Sequence, residues 1–191
     1  MEYKSITKQE LFDILEIWDK YIPGKVHLIA CGGTALTLQD IKDSTKDVDF
    51  IVPEENEYVN LIRTIKKLGY KETTGHGWAR DDGFLFDLFK GKYVHTTELL
   101  ESPLDQGNNI PVKEFKKFYV GVLNDYDLII SKIFRGTSTD YDDCLSLIRS
   151  KGKKIDIETL KNRYKETADY DNNPERMMHN LDSLLMRIPK E

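Results

Sequence analysis

The sequence predicts an α/β fold: a small mixed sheet backed by helices, followed by a C-terminal helical bundle. Three observations predict it. Val26, Leu28, Ile29 and Ala30 form an apolar run that stops at Gly32-Gly33, as a buried strand ending in a turn does. Val48, Phe50 and Val52 alternate with Asp47, Asp49 and Ile51, the period-two pattern of a second strand. From Asn124 onward the patterned segments read as helices. With 191 residues, the chain suits one domain, or one domain with a helical appendage. The division expected is a core over 1–123 and a helical region over 124–191 packed on it.

Taken in order, Thr7 to Tyr21 reads as a helix. Thr7 and Glu10 match a capping box, and Leu11, Ile14, Leu15 and Trp18 share one face. Pro23-Gly24 ends it. After the strand and the glycine turn, Thr34 is a candidate helix cap, with Ala35, Leu36 and Leu38 on the apolar side. Pro53 ends the Asp-bearing strand. Glu55 to Leu68 is a helix burying Tyr58, Leu61, Ile62, Ile65 and Leu68, with Gly69 as a natural stop. Tyr70 to Thr74 is a short strand. Gly75-His76-Gly77-Trp78 reads either as a loop able to cover a nucleobase or as a hairpin connection with a buried Trp78. Phe84 to Phe89 is a strand whose alternation sets Asp87 opposite Phe86 and Leu88. Residues 94–109 are turn-rich. Phe118 to Leu123 is a strand expected at a sheet edge. Asn124 caps a helix over Asp125 to Arg135, with Leu128, Ile129 and Ile133 inward and Lys132 off that face. Thr139 is expected to cap a helix over Asp140 to Ser150. Ile155 to Thr167 and Pro174 to Ile188 complete the bundle, the last started by Asn173.

The chemistry is carried by few residues. Side chains at i and i+2 of a strand point the same way, so Asp47 and Asp49 form a carboxylate pair that repels itself unless a cation intervenes. Hard divalent cations prefer such oxygens and often share them with substrate phosphates. A glycine turn leading into a helix offers backbone N–H groups to those phosphates. Asp87 lies in an otherwise apolar strand, where an unpaired carboxylate costs several kcal/mol. It is therefore expected to be metal-bound or paired, with Arg80 as the candidate partner. Lys132 and Arg135, at i and i+3, can reach one site.

Gly32-Gly33-Thr34, followed thirteen residues after Thr34 by Asp47-Val48-Asp49, resembles the signature of the DNA polymerase β-like nucleotidyltransferases. The likeness extends over residues 29–148 and is greatest to minimal nucleotidyltransferases and to the AbiEii-like toxin group. Asp125 or Asp127 with Lys132 resembles that group's Asp-x(5–6)-Lys motif, and the helix holding Asp140 and Asp143 resembles its next element. The resemblance implies a polymerase β-like nucleotidyltransferase fold with residues 1–123 as its catalytic core. It implies transfer of a nucleoside monophosphate from an NTP to an acceptor hydroxyl on RNA, protein or a small molecule, with release of pyrophosphate. Asp47, Asp49 and Asp87 would be catalytic and hold Mg2+, two ions being expected and Mn2+ an alternative. Gly32, Gly33, Thr34, Lys132 and Arg135 would bind the nucleotide. A toxin role would bring an antitoxin partner, with tRNA or protein as acceptor. A non-catalytic nucleotide-binding or protein-interaction module on the same fold is the alternative. An antibiotic-modifying enzyme would need an acidic groove, for which Asp140, Asp142, Asp143 and Glu101 are candidates.

Composition narrows the field. No apolar run reaches the ~18 residues of a membrane span, and the polar N-terminal segment lacks a signal-peptide core. Cys31 and Cys144 are the two cysteines and have no metal-ligand spacing, which suits reduced thiols and a cytoplasmic protein. A net charge of −5 disfavours a nucleic-acid binder with a wide basic face. The local lysine clusters, Lys113/Lys116/Lys117 and Lys151/Lys153/Lys154, leave room for a tRNA acceptor but also suit solvated helix faces.

Overall fold

The apolar and alternating segments assemble into one mixed sheet in the computed structural model, which describes residues 3–189. Its strands are β1 (Val26–Ala30), β2 (Asp47–Val52), β3 (Lys71–Glu72), β4 (Gly77–Ala79), β5 (Leu85–Lys90), β6 (Asn109–Glu114) and β7 (Phe118–Leu123). The order across the sheet is β6-β7-β1-β2-β5-β4-β3. β7 pairs parallel with β1, and β2 with β5, while the other neighbours pair antiparallel. The helices are α1 (Lys8–Tyr21), α2 (Gly32–Leu38), α3 (Glu55–Lys67), α4 (Asp125–Arg135), α5 (Ser138–Lys151), α6 (Ile157–Ala168) and α7 (Pro174–Leu185).

The alternation of β2 and β5 decides what each sheet face holds. Val48, Phe50, Val52, Phe86 and Leu88 enter the main hydrophobic core. There Trp18 of α1 packs with its ring 4.7 Å from Phe86 and 5.2 Å from Tyr70. The same core runs through Leu61 and Ile65 of α3, Leu128 and Ile133 of α4, and Leu181 and Leu184 of α7. Ile29, Ile51, Phe89 and Leu123 form a smaller cluster on the other face, covered by Val94 and Leu99. Residues 93–99 thus fold over part of that face, and the rest stays open.

Local signals account for most boundaries. The α1 capping box forms as the sequence predicts, with Thr7 and Glu10 exchanging hydrogen bonds. Asn124 caps α4 by accepting from Asp127 N at 2.9 Å, and Asn173 caps α7 at Pro174. Trp18 and Trp78 are both buried, so Trp78 belongs to a hairpin strand and not to an open loop.

Four expectations are corrected. Thr34 does not cap α2: Cys31 holds that position without a side-chain bond, and the Thr34 hydroxyl bridges to β2 instead. Thr137, not Thr139, caps α5, because Asp140 three residues on completes a capping box with it. β7 is not an edge strand. β6 covers it, with a bulge at Pro111/Lys113. The strand over 70–74 shortens to Lys71–Glu72. Among the described residues, no helix is long and apolar enough to cross a membrane.

Candidate active site

Asp47 and Asp49 leave β2 on the face opposite Val48 and Phe50. Asp49 stands in register with Asp87 of parallel β5, and residues paired across neighbouring strands project to the same side. The three acids therefore gather at one place. Asp49 is buried, Asp87 half-buried and Asp47 exposed. They line a cleft of about 450 Å3 together with Gly33, Lys42, His95, Lys132 and Arg135.

The glycine pair has a spatial task. Gly32 has φ +56°, and a Cβ there would overlap the Asp49 carboxylate. A Cβ on Gly33 would come within 2.5 Å of Thr45 Oγ1. Thr34, fully buried, locks the two halves of the motif together. Its hydroxyl donates to Asp47 O at 3.2 Å and accepts from Asp49 N at 2.8 Å. Cys31 N donates to Asp49 O at 3.1 Å. The spacing between the glycines and the acids thus brings α2 back onto the start of β2.

The electrostatics record the crowding. Burial, then the charges of Asp87 and Asp47, push the Asp49 carboxyl up to about 7, against the partial relief of Lys132 and Arg135. Burial and Asp47 also raise Asp87. Arg80 does not neutralise Asp87: its guanidinium pairs with Asp82 at 2.5 Å and 3.0 Å and donates to Leu68 O. That removes the salt-bridge reading of Asp87. Burial and the nearby Asp49 charge raise the Cys31 thiol well above its usual range, in keeping with a buried filler and not a nucleophile.

Cations face the acids from α4, but in a chain of ion pairs. Lys132 Nζ lies 2.7 Å from Asp143 Oδ2 and 3.9 Å from Asp140 Oδ1. Lys42 Nζ holds the other Asp143 oxygen at 2.8 Å. Arg135 grips Asp140 through two bonds, of 2.6 Å and 2.9 Å. Burial opposes ionisation of Asp140, but the bonds from Arg135 and Thr137 outweigh it and hold its carboxyl below the usual range. Lys132 is only 3% exposed, so the expectation that it lies off the packed surface is corrected. Asp140 and Asp143, one turn apart on α5, face it there. Asp140 and Asp143 are thereby committed to cations, and Glu101 lines a separate cavity beside Arg163. They form no common acidic groove.

Sequence reasoning missed Lys42 and His95. His95 has φ +51° and packs edge-on to Phe89, 4.7 Å between centroids. Its Nε2 lies 3.0 Å from Arg135 Nη1 and 3.9 Å from Asp49 Oδ1. Burial, then Arg135, push its pKa down to about 4. It is therefore neutral near pH 7, accepts from Arg135, and makes no ion pair with Asp49. A lone histidine in a turn-rich segment carries no sequence signal for this place.

Among the described residues, no three His, Cys, Asp or Glu side chains form a preassembled metal-ligand group. What the cleft offers is three carboxylates on one wall, with their mutual repulsion registered at Asp49 and Asp87. This donor set fits a hard divalent cation whose coordination is completed by phosphate oxygens and water.

The fold is shared with solved structures of low sequence identity. The crystal structure of ANT(2'')-Ia in complex with adenylyl-2''-tobramycin is 18% identical, with 83% of this chain and 96% of that chain covered and a TM-score of 0.57. The solution structure of the antibiotic-resistance factor ANT(2'')-Ia is 15% identical, with 84% and 94% covered and a TM-score of 0.57. No curated protein matches the sequence. Residues 9–188 match the family described as nucleotidyltransferase of unknown function (DUF6036). The chain belongs to that family of nucleotidyltransferases, which is consistent with the resemblance carried by Gly32-Gly33-Thr34 and Asp47-Val48-Asp49.

Proposed function

We propose that the chain transfers a nucleoside monophosphate from an NTP to an acceptor hydroxyl, releasing pyrophosphate, with Asp47, Asp49 and Asp87 at the reacting centre. One observation carries the reading: three carboxylates from adjacent strands converge on a cleft whose other wall is cationic. Nucleotidyltransferases of this fold generally use divalent metals. Here Asp47 and Asp49, with Asp87, would hold two Mg2+ ions, Mn2+ being able to replace them. The bound ions supply charge stabilisation at the attacking and leaving oxygens.

The chain's own residues divide the remaining work. Gly32 and Gly33 let the backbone approach the β- and γ-phosphates closely, and Thr34 fixes the Asp47–Asp49 backbone beneath them. Arg135 and Lys42 meet the phosphate charge directly. Lys132, buried between Asp140 and Asp143, holds positive potential in the wall. Asp87 accepts the proton of the acceptor hydroxyl, its carboxylate facing the cleft beside Asp49. The adenylyl group named with the ANT(2'')-Ia structure makes ATP the first donor to try.

The test is incubation with each α-labelled NTP, Mg2+ and total cell extract, with an Asp49→Asn chain in parallel. Label should pass to one class of molecule with wild type only. Equal labelling by the variant would refute the assignment. A toxin role with an antitoxin partner would show as growth arrest on expression of wild type, absent with Asp49→Asn.

A further inference from the structure

The cleft does not end at Asp87. Two residues further along the same face of β5, Phe89 forms the floor of a second cavity of about 550 Å3, lined by His76, Lys90, Lys92, Tyr93 and His95. The two cavities share His95. His76 and His95 both pack on Phe89, at 5.0 Å and 4.7 Å between centroids. Tyr93 stands 50% exposed at the rim. We propose that this cavity binds the acceptor, and that the acceptor is a nucleotide unit, stacked by its base against His76 and Tyr93 with its hydroxyl turned back toward Asp87. The proposal rests on the nucleotidyl-transfer reading above and adds the substrate class.

Topology gives the direction. Lys132 and Arg135 come from α4, which follows β7, whereas the second cavity is built from the end of β5, the segment that leaves it through His95, and His76 before β4; the two meet at His95, which accepts from Arg135. In transfer, the acceptor oxygen forms a bond to the α-phosphorus as the bond to the bridging α,β oxygen breaks. Pyrophosphate leaves with that electron pair, and the acceptor proton passes to Asp87. Attack and departure are in line, so pyrophosphate beside the cations places the acceptor on the Asp87 side.

Chemistry gives the class. Among the described residues, none that lines the cavity is acidic, which disfavours a polycation such as an amino sugar. Flat aromatic and imidazole surfaces suit a base, because every base has a π-face for stacking. The two lysines are partnered, Lys90 with Glu55 at 2.5 Å and Lys92 with Glu98 at 3.2 Å, yet give the rim cationic ends for a single phosphate. Beyond Lys92 the next cavity carries Glu98, Glu101 and Glu166, which is unsuited to a long polyanion. One nucleotide unit fits, either free or at the end of a strand.

The experiment follows the imidazole NMR signals of His76 in the full chain, first saturated with a non-hydrolysable ATP analogue and Mg2+. AMP, the trinucleotide ApApA and tobramycin are then added separately. A His76 shift with AMP or ApApA, but not with tobramycin, is expected. AMP alone sufficing identifies a free nucleotide, and a response to ApApA alone identifies a strand end. Tyr93→Ala should weaken that binding roughly tenfold, as loss of a stacking face does. A response to tobramycin alone, or to none of the three, overturns the proposal. So does a full His76 response to the ATP analogue itself, which would give the cavity to the donor base. Failure of the analogue to raise the melting temperature with Mg2+ would instead count against the nucleotidyl-transfer reading.

Discussion

Strands β2 and β5 present two opposite surfaces built from alternate residues of the same segments. One carries Val48, Phe50, Phe86 and Leu88 into the main core. The other carries Asp47, Asp49 and Asp87 into the cleft. The backbone hydrogen bonds are common to both, so differences between the faces arise from side chains alone. The apolar face stabilises the fold by burial, while the acidic face holds like charges together at a cost that a ligand can relieve. This is the separation expected where a rigid sheet supports a strained site.

The comparison breaks most sharply at Asp49. Asp49→Asn keeps shape and removes a buried charge, so apo stability should hold or rise. Transfer activity should fall by about 10²-fold or more, the scale of losing one preorganised electrostatic contact. Activity assays paired with thermal melting check both halves. A lowered melting temperature with retained turnover would make the acidic face structural after all.

Phe86→Ala, one residue from Asp87 on the other face, should do the reverse. The ring is fully buried against Trp18 and Tyr70, and truncations of this kind cost about 3–5 kcal/mol. Urea unfolding should show that loss, and folded variant at low temperature should keep much of its nucleotide affinity.

The two faces also differ in how far the sequence displays them. Period-two alternation is local, so Asp47 and Asp49 can be paired from their neighbours alone, whereas Asp87, in an otherwise apolar strand, joins them only through the family resemblance. The glycines could be matched to the acids, although the reason for Gly32, space for the Asp49 carboxylate, appears only with the fold. β6 was illegible because an exposed edge strand containing Pro111 and Lys113 buries too little to show alternation. His95 and Lys42 reach the cleft through long-range chain folding. Thr137 and Thr139 offer near-equal cap signals, and only the reach of Asp140 decides between them.

Lys132 lies between the two classes and sharpens the contrast. A place off the Leu128/Ile129/Ile133 face predicts a side chain separable from packing, but Lys132 is buried with Asp143. Lys132→Ala should cost roughly 2 kcal/mol, below the 3–5 kcal/mol of a fully unpaired buried charge, because Lys42 still holds Asp143 at 2.8 Å. Lys132→Met with Asp143→Asn should recover most of the loss in chemical denaturation. No recovery would mean that the ammonium, and not the pairing, stabilises the α4–α5 contact.

The smallest expected effect concerns pH, and it also separates the faces, because the apolar one does not titrate. In chelator, Asp49 has a folded pKa of about 7, above the unfolded value of ~3.9. Between those limits the folded chain binds more protons than the unfolded one, so this group makes stability fall as pH rises. His95 has a folded pKa of about 4, below the unfolded ~6.5. Over that window the unfolded chain binds more protons, so His95 makes stability rise with pH. The two slopes oppose each other between about pH 4 and 6.5, each bounded by ~1.4 kcal/mol per pH unit. Relative to wild type, Asp49→Asn should therefore tilt the stability–pH curve upward in this window, and His95→Gln should tilt it downward. Asp140, whose pKa is lowered, contributes stability that is lost only as pH falls below the usual carboxylate range, outside the window compared. Saturating Mg2+ should flatten the Asp49 contribution by favouring its ionised form in the folded chain. Melting curves at four pH values for the three proteins measure the tilts. Parallel curves would show that the crowding at Asp49 is relieved without a cation, and the acidic face would then carry no strain for a metal to release.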